Sequence, residues 1–273
     1  MKKYFVDNLD SAVSGKLLEI LEHKVKELID LKNELTLKQL KQKINENKFG
    51  IRSFSKVLDI ENKISLIAEV KKASPSLGNI NTEVDIVDQA MEYEKGGANA
   101  ISILTDSKFF KGNIVFLQQI KDKVGIPVFR KDFIFDEYQV YESKLYGADA
   151  ILLMATILKE DKLIELVELT HKLGLGCLVE THTKADMDKV LKTKAKVIGI
   201  NARDLQTFDV DLKNIIDLAP QVPKDRIFIA ESGVKTSEDV ALLKKAGAQG
   251  ILVGTTLMQA DNLQEKIKEL KSV

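Results

Sequence analysis

Two charged residues two positions apart, Glu69 and Lys71, close an apolar run from Ile64 to Val70. Side chains i and i+2 of a β-strand leave the same face, so these two point together. Charges directed together out of a buried strand are costly unless they pair or do chemistry. Similar residues end later apolar runs: Lys131, Glu180, Asn201 with Arg203, and Glu231. Lys71, Lys131 and Arg203 compete for one region, and like-charge proximity predicts a lowered pKa for at least one lysine. A lysine so tuned donates a proton to a carbonyl oxygen at neutral pH. Burial at the end of an apolar strand raises the pKa of Glu180 and nearby lysines oppose the rise, which leaves its net sign open. Structural ion pairing among the same groups is the plain alternative.

Two glycine turns offer anion chemistry. Ser232-Gly233-Val234 precedes a helical pattern, and Val253-Gly254-Thr255-Thr256 opens a short segment to Gln259. Glycine lets backbone N–H groups approach an anion and a helix N-terminus adds its dipole, so the pair suits a phosphate; two ordinary turns are the alternative. Phe109, Phe110 and Phe133 either line a pocket for an aromatic ring or serve as core. His182 has no partner pattern that makes it a metal ligand and is expected on a surface loop; His23 and His171 are expected exposed on amphipathic helices. Cys177, the only cysteine, lies in an apolar run, reads as a small buried hydrophobe and excludes an internal disulfide. No cysteine pair, His-Glu-x-x-His, Walker loop or Gly-x-Gly-x-x-Gly occurs, so neither a metal nor a nucleotide cofactor is implied.

The elements that must position these residues alternate. Apolar runs at 64–70, 98–104, 126–130, 149–154, 176–180, 197–201, 227–231 and 250–253 are followed by helical patterns near 83–95, 113–123, 136–146, 159–172, 183–192, 211–219, 236–246 and 262–271. Such alternation with near-continuous apolar strands indicates a parallel sheet. Gly97-Ala98, Gly147-Ala148 and Gly247-Ala248 open three similar phrases 50 and then 100 residues apart, and a strand also begins near 198. Every second unit returns in phase, as an eight-fold barrel of about 25-residue units requires. The prediction is a (β/α)8 TIM barrel with an extra helical N-terminal segment, an open doubly wound sheet being the alternative. Its chain divides as one domain, 1–60 a helical extension and 61–273 the barrel. Active sites of such barrels lie at the C-terminal strand ends, and the loops after strands 7 and 8 take phosphate.

Residues 8–48 read as helix, with Leu17, Leu18, Leu21, Val25, Leu28 and Ile29 at helical spacing and a second piece from Thr36 to Asn45. A packing extension, closing one end of the domain or meeting a partner, is the simplest account. The 273 residues are 44% hydrophobic, and 41 basic residues balance 41 acidic ones. That balance argues against broad nucleic-acid binding and leaves a local phosphate site open. The start, Met1-Lys-Lys-Tyr-Phe-Val-Asp, is no signal peptide, and no apolar run is long enough for a membrane span. A soluble cytoplasmic protein is expected.

Taken together, Ile67-Ala-Glu-Val-Lys-Lys-Ala-Ser-Pro-Ser76, Ile103-Leu-Thr-Asp-Ser-Lys-Phe-Phe-Lys-Gly112, Arg130-Lys-Asp-Phe-Ile134, Leu178-Val-Glu180, Gly199-Ile-Asn-Ala-Arg-Asp-Leu205, Ala230-Glu-Ser-Gly233 and Val253-Gly254 resemble the indole-3-glycerol-phosphate synthase family over residues 50–260. The resemblance implies conversion of 1-(2-carboxyphenylamino)-1-deoxyribulose 5-phosphate to indole-3-glycerol phosphate in tryptophan biosynthesis, releasing carbon dioxide and water without a cofactor. It implies Lys131 as the general acid at the carbonyl, Glu180 as an acid/base group later, Glu69 orienting the lysines, and Lys71 holding substrate anions and sharing in dehydration. Ser74, Asn201 and Arg203 then position the carboxylated ring, with Glu231 also on the substrate side. Phe110, Phe133, Leu152 and Leu205 line its apolar pocket. Ser232, Gly233, Gly254 and Thr255 take the phosphate. Thr255-Thr256 and Leu77 depart from the family's usual small and charged residues. No nucleic acid, membrane, obligatory protein partner or fused second barrel is implied. A Schiff-base phosphosugar aldolase and a non-catalytic binding barrel are the alternatives.

Overall fold

The computed structural model describes residues 7–11, 13–46, 49–75, 78–205 and 207–273. The chain start, on which the signal-peptide expectation rests, lies outside them, as do Ser76 and Leu77 after the first strand.

Eight parallel strands close into a barrel: β1 (Ser65–Val70), β2 (Ala100–Leu104), β3 (Val128–Lys131), β4 (Ala150–Met154), β5 (Gly176–Thr181), β6 (Val197–Asn201), β7 (Ile227–Glu231) and β8 (Gly250–Val253). Each strand pairs with its sequence neighbours, and β8 pairs with β1 through Ser65↔Gly250 to Ala68↔Val253. Closure leaves no open sheet edge among the eight. The strands match the expected runs to within three residues at either end. β3 begins later than expected because Pro127 has no N–H to donate; its carbonyl accepts from the N–H of Ile101 (2.9 Å). Gly97, Gly147 and Gly247 have φ of +92°, +82° and +106°, left-handed positions that end a helix and enter β2, β4 and β8.

The N-terminal segment is helical in the two expected pieces, though Leu9 and Asp10 lie outside a helix. Leu9 pairs with Leu158 in an isolated bridge, and helices follow at α1 (Gly15–Glu34), α2 (Leu37–Glu46) and α3 (Phe54–Leu58). Phe54 of α3 stacks on Phe129 of β3 (centroids 5.3 Å apart) and lies against Gly176, at the N-terminal end of the barrel. Around the barrel run α4 (Ile86–Lys95), α5 (Ser107–Phe110), α6 (Val115–Lys121), α7 (Glu137–Leu145), α8 (Glu160–Lys172), α9 (Lys184–Leu191), α10 (Leu212–Leu218), α11 (Ser237–Lys245), α12 (Thr255–Met258) and α13 (Leu263–Leu270). Local chemistry sets their starts: Asp136, Thr183 and Thr236 cap α7, α9 and α11 in capping boxes. Among the described residues no helix is long and apolar enough to cross a membrane.

α1 does more than cover the barrel. Leu17, Leu21, Val25 and Leu28 are buried in the core, as the helical spacing requires. Lys24 on the same helix is also buried and reaches Asp132 (3.1 Å) at the end of β3. Asp132 is bound in turn by Arg130 (3.0 Å) and Thr105 (2.6 Å), and Arg130 reaches Glu142 of α7 (2.8 Å). Burial alone raises a carboxyl pKa; here Lys24 and Arg130 outweigh it and hold Asp132 below the ordinary range. This braced network fixes the backbone next to Lys131.

Candidate active site

At the C-terminal ends of the strands lies a cavity of about 830 Å³. Its walls include Glu69, Lys71, Ser74, Lys131, Glu180, Asn201 and Arg203. Phe110, Phe133, Leu152 and Leu205 line the apolar part, and Ser232, Gly233, Gly254 and Thr255 lie at the β7 and β8 ends. Of the residues that the family resemblance assigns to the site, Glu231 alone is absent from the lining: it is fully buried behind Lys131.

Lys131 is the hub. Its Nζ lies 2.9 Å from Glu231 Oε2, 3.5 Å from Glu69 Oε2 and 3.9 Å from Glu180 Oε2. Lys71 Nζ sits 3.1 Å from Glu69 Oε1, so Glu69 bridges the two lysines and the shared strand face is as expected. The expected lowering of a lysine pKa fails for Lys131. Burial does push it down, but Glu231, Glu69 and Glu180 push harder, and its pKa lies above the ordinary lysine value. Lys131 is therefore an ammonium at neutral pH. Three carboxylates, and no neighbouring cation, set its direction.

Those carboxylates are not alike. Glu69 is held below its ordinary value: burial raises it, and Lys71 with Lys131 more than compensates. Burial drives Glu180 and Glu231 upward against Lys131, Glu231 to about 8. The sign left open for Glu180 is thus positive. Glu231 Oε1 has no hydrogen-bond partner among the described residues. Gly199 makes room for this arrangement, since a Cβ there would stand 2.1 Å from Glu231 Oε1. Asn201 Oδ1 accepts from the Arg203 N–H (2.9 Å), which turns its amide nitrogen toward Glu180.

The apolar wall is built by capping as well as by packing. Asp106 accepts from the N–H groups of Phe109 (2.6 Å) and Phe110 (3.2 Å) and so starts α5. Phe110 faces Phe133 across 6.2 Å, tilted 44°. Phe109 does not join them; it packs under His23 (5.9 Å, edge-on) on the α1 side. Leu17 and Ile20 of α1 complete the wall, a role that the helical spacing did not reveal. Arg203 donates to the Phe208 carbonyl (2.9 Å), holding the segment after β6 over this side.

The β7 and β8 ends form the polar floor. Ser232 and Gly233 have consecutive positive φ of +68° and +81°, a turn that orients successive backbone N–H groups alike. Any Cβ on Gly254 would stand 2.5 Å from Glu69 Oε1. Gly254 starts α12; Thr255 faces the cavity, whereas the Thr256 hydroxyl donates to the Val234 carbonyl (2.6 Å).

The histidines and the cysteine sort differently from one another. Cys177 is buried, as expected, and burial pushes its thiol pKa up to about 12. His171 is exposed, while His23 is only partly so and lies 3.3 Å from Glu27. His182 contradicts the surface-loop expectation: its side chain is 8% exposed and lies 3.5 Å from Glu180. The β5 end turns inward into the cap of α9 there, and a lone histidine carries no sequence signal of that.

Comparison with known proteins agrees with this geometry. The family profile "Indole-3-glycerol phosphate synthase" matches residues 17–270. The protein of that name from Alkaliphilus metalliredigens is 44% identical over 260 residues, covering 95% of this chain and 98% of the relative. That from Endomicrobium trichonymphae is 48% identical over 219 residues, covering 80% and 84%. Among solved structures, a 3-hexulose-6-phosphate synthase superposes with a TM-score of 0.61 at 16% identity, covering 76% of this chain and 98% of that one, a likeness of fold. The chain belongs to the indole-3-glycerol phosphate synthase family, decarboxylating lyases of tryptophan biosynthesis.

Proposed function

We propose that the cavity binds 1-(2-carboxyphenylamino)-1-deoxyribulose 5-phosphate with its phosphate at Ser232, Gly233, Gly254 and Thr255 and its ring against Phe110, Phe133, Leu152 and Leu205. Ser74, Asn201 and Arg203 hold the carboxylated end. Lys131 gives a proton to the carbonyl oxygen as the carboxyl-bearing ring carbon attacks the carbonyl carbon. Carbon dioxide then leaves, its bonding electrons restoring the ring. The new hydroxyl departs as water, Glu180 moving protons and Lys71 sharing in that step. Glu69 orients both lysines, and Glu231 acts from behind Lys131 rather than on the substrate.

The observation that supports this most is the Lys131 ammonium, open to the cavity and anchored by three carboxylates. Anchoring makes it a weaker acid, and the raised pKa values of Glu180 and Glu231, which diminish their negative charge, relieve part of that restraint. A Schiff-base aldolase needs a neutral amine, so the raised pKa of Lys131 disfavours that alternative there. Glu180→Gln tests the assignment: turnover falls steeply with KM little changed. A loss of affinity alone would make Glu180 a binding residue.

The substrate is then a free small molecule, with no cofactor, nucleic acid, membrane or obligatory protein partner. A cytoplasmic location follows from the same proposal, and cell fractionation checks it. The helical extension 1–60 and the barrel 61–273 work as one unit, which the α1 residues in the cavity wall support.

A further inference from the structure

His182 has a feature that the proposed reaction leaves unexplained: its Nε2 is buried and has no hydrogen-bond partner among the described residues. Buried ring nitrogens are almost always satisfied, so an orphan calls for a reason. The other nitrogen supplies the first half of it. Nδ1 lies 3.0 Å from Thr156 Oγ1, in the turn after β4. Thr156 donates its one hydroxyl proton to Asp186 Oδ2 (2.9 Å). Asp186 Oδ2 also takes the backbone N–H groups of His182 and Thr183 (both 3.1 Å) as part of the α9 cap, so it is an acceptor only. With its proton spent, the Thr156 oxygen can only accept from His182, which puts a hydrogen on Nδ1. In the neutral ring Nε2 is then a bare lone pair.

That lone pair faces Glu180. Nε2 is 3.5 Å from Glu180 Oε1, while Oε2 of the same carboxyl is the atom on the Lys131 side (3.9 Å). A bare nitrogen facing an ionised oxygen is repulsive, whereas a carboxylic acid hydrogen between them satisfies both atoms. A small side-chain rotation brings 3.5 Å to hydrogen-bond length. We propose that His182 is a positioning residue for Glu180: its bare Nε2 holds the acid proton on Oε1 and leaves Oε2 turned toward Lys131 and the cavity. The Asp186–Thr156–His182 chain thereby fixes both the tautomer and the oxygen that carries the proton. Burial keeps the imidazole neutral, with a pKa near 4, although Asp186, Glu231 and Asp204 favour its charged form; Lys131 opposes it. Glu180 faces the same ring at Nε2.

This inference rests on Glu180 as an acid/base group, and its test separates the two. ¹⁵N-histidine NMR on the full chain, which has three histidines, reads the tautomer directly, with His182→Asn assigning the signal. The expected result is a neutral ring protonated at Nδ1 and bare at Nε2 from pH 5.5 to 8. A ring protonated at Nε2, or one titrating in that range, would overturn the inference. In kinetics, His182→Asn keeps a donor for Thr156 and deletes the acceptor for Glu180. We expect kcat to fall roughly tenfold with KM within about twofold. The Glu180 limb of the kcat profile should move down by about one pH unit, because only the acid form loses a partner. His182→Gln, whose amide oxygen reaches the Nε2 position, restores the limb. An unchanged limb in His182→Asn, beside an inactive Glu180→Gln, overturns the inference alone. Full activity of Glu180→Gln would overturn the acid/base assignment beneath it.

Discussion

Replacing Lys131 by alanine removes the proposed proton donor and the common counter-ion of three buried carboxylates at once. A positioned general acid contributes about 10²–10⁴-fold to a rate, or about 3–5 kcal/mol in the barrier. Substrate contacts are spread over the phenylalanine wall and the β7 and β8 turns, none of which Lys131 holds, so KM should stay within about fivefold while kcat takes the loss. The carboxylates at 2.9, 3.5 and 3.9 Å then face one another without a cation, and the folded variant takes up protons that wild type does not. Its thermal midpoint should therefore gain on wild type as pH falls from 8 to 5.5. Steady-state rates followed by indole fluorescence, with melts across that range, supply both readouts. A kcat within about threefold of wild type, or a loss confined to KM, would refute the role of Lys131.

Glu231→Gln has a pH signature of defined sign. Its pKa is about 8 folded, above the ordinary glutamate value of 4.5, so the native protein binds the extra proton and wild-type stability falls as pH rises through that window. The variant lacks this slope; parallel wild-type and variant stability curves from pH 5 to 8 would contradict it. Gly199→Ala places a Cβ 2.1 Å from Glu231 Oε1 and 2.6 Å from Leu178 Cδ2, which should cost about 1–3 kcal/mol in urea unfolding and lower kcat by displacing Glu231. Unchanged unfolding and turnover would mean the barrel yields at that point. Lys24→Met strands Asp132 and Asp106 without their shared cation and should cost about 3–5 kcal/mol, against less than 1 if Arg130 alone suffices.

The barrel was legible because its signals are local and repeated. Period-two strand faces, apolar runs and left-handed glycines such as Gly97, Gly147 and Gly247 each act within a few residues. The pairing of Glu69 with Lys71 followed from strand geometry alone. What depends on contacts between distant strands was less legible. The direction of the Lys131 pKa is set by carboxylates from β1, β5 and β7, strands far apart in the sequence. Glu231 ends its strand as the other site residues do, yet its carboxyl turns into the space that Gly199 leaves. The burial of His182 depends on Thr156 and Asp186, two ordinary polar residues from neighbouring units. α1 announced an apolar face, and only the folded chain shows that Leu17 and Ile20 at its edge meet the cavity.

One measurement bears most directly on the account. The folded protein is given the carboxyphenylamino-deoxyribulose phosphate in two samples, one followed by indole fluorescence and the other, with cyanoborohydride added, by intact protein mass. The account predicts formation of indole-3-glycerol phosphate with the protein mass unchanged, because Lys131 acts as an ammonium and forms no bond to carbon. A reduced adduct on Lys131 or Lys71, or folded protein that forms no indole product, would contradict it.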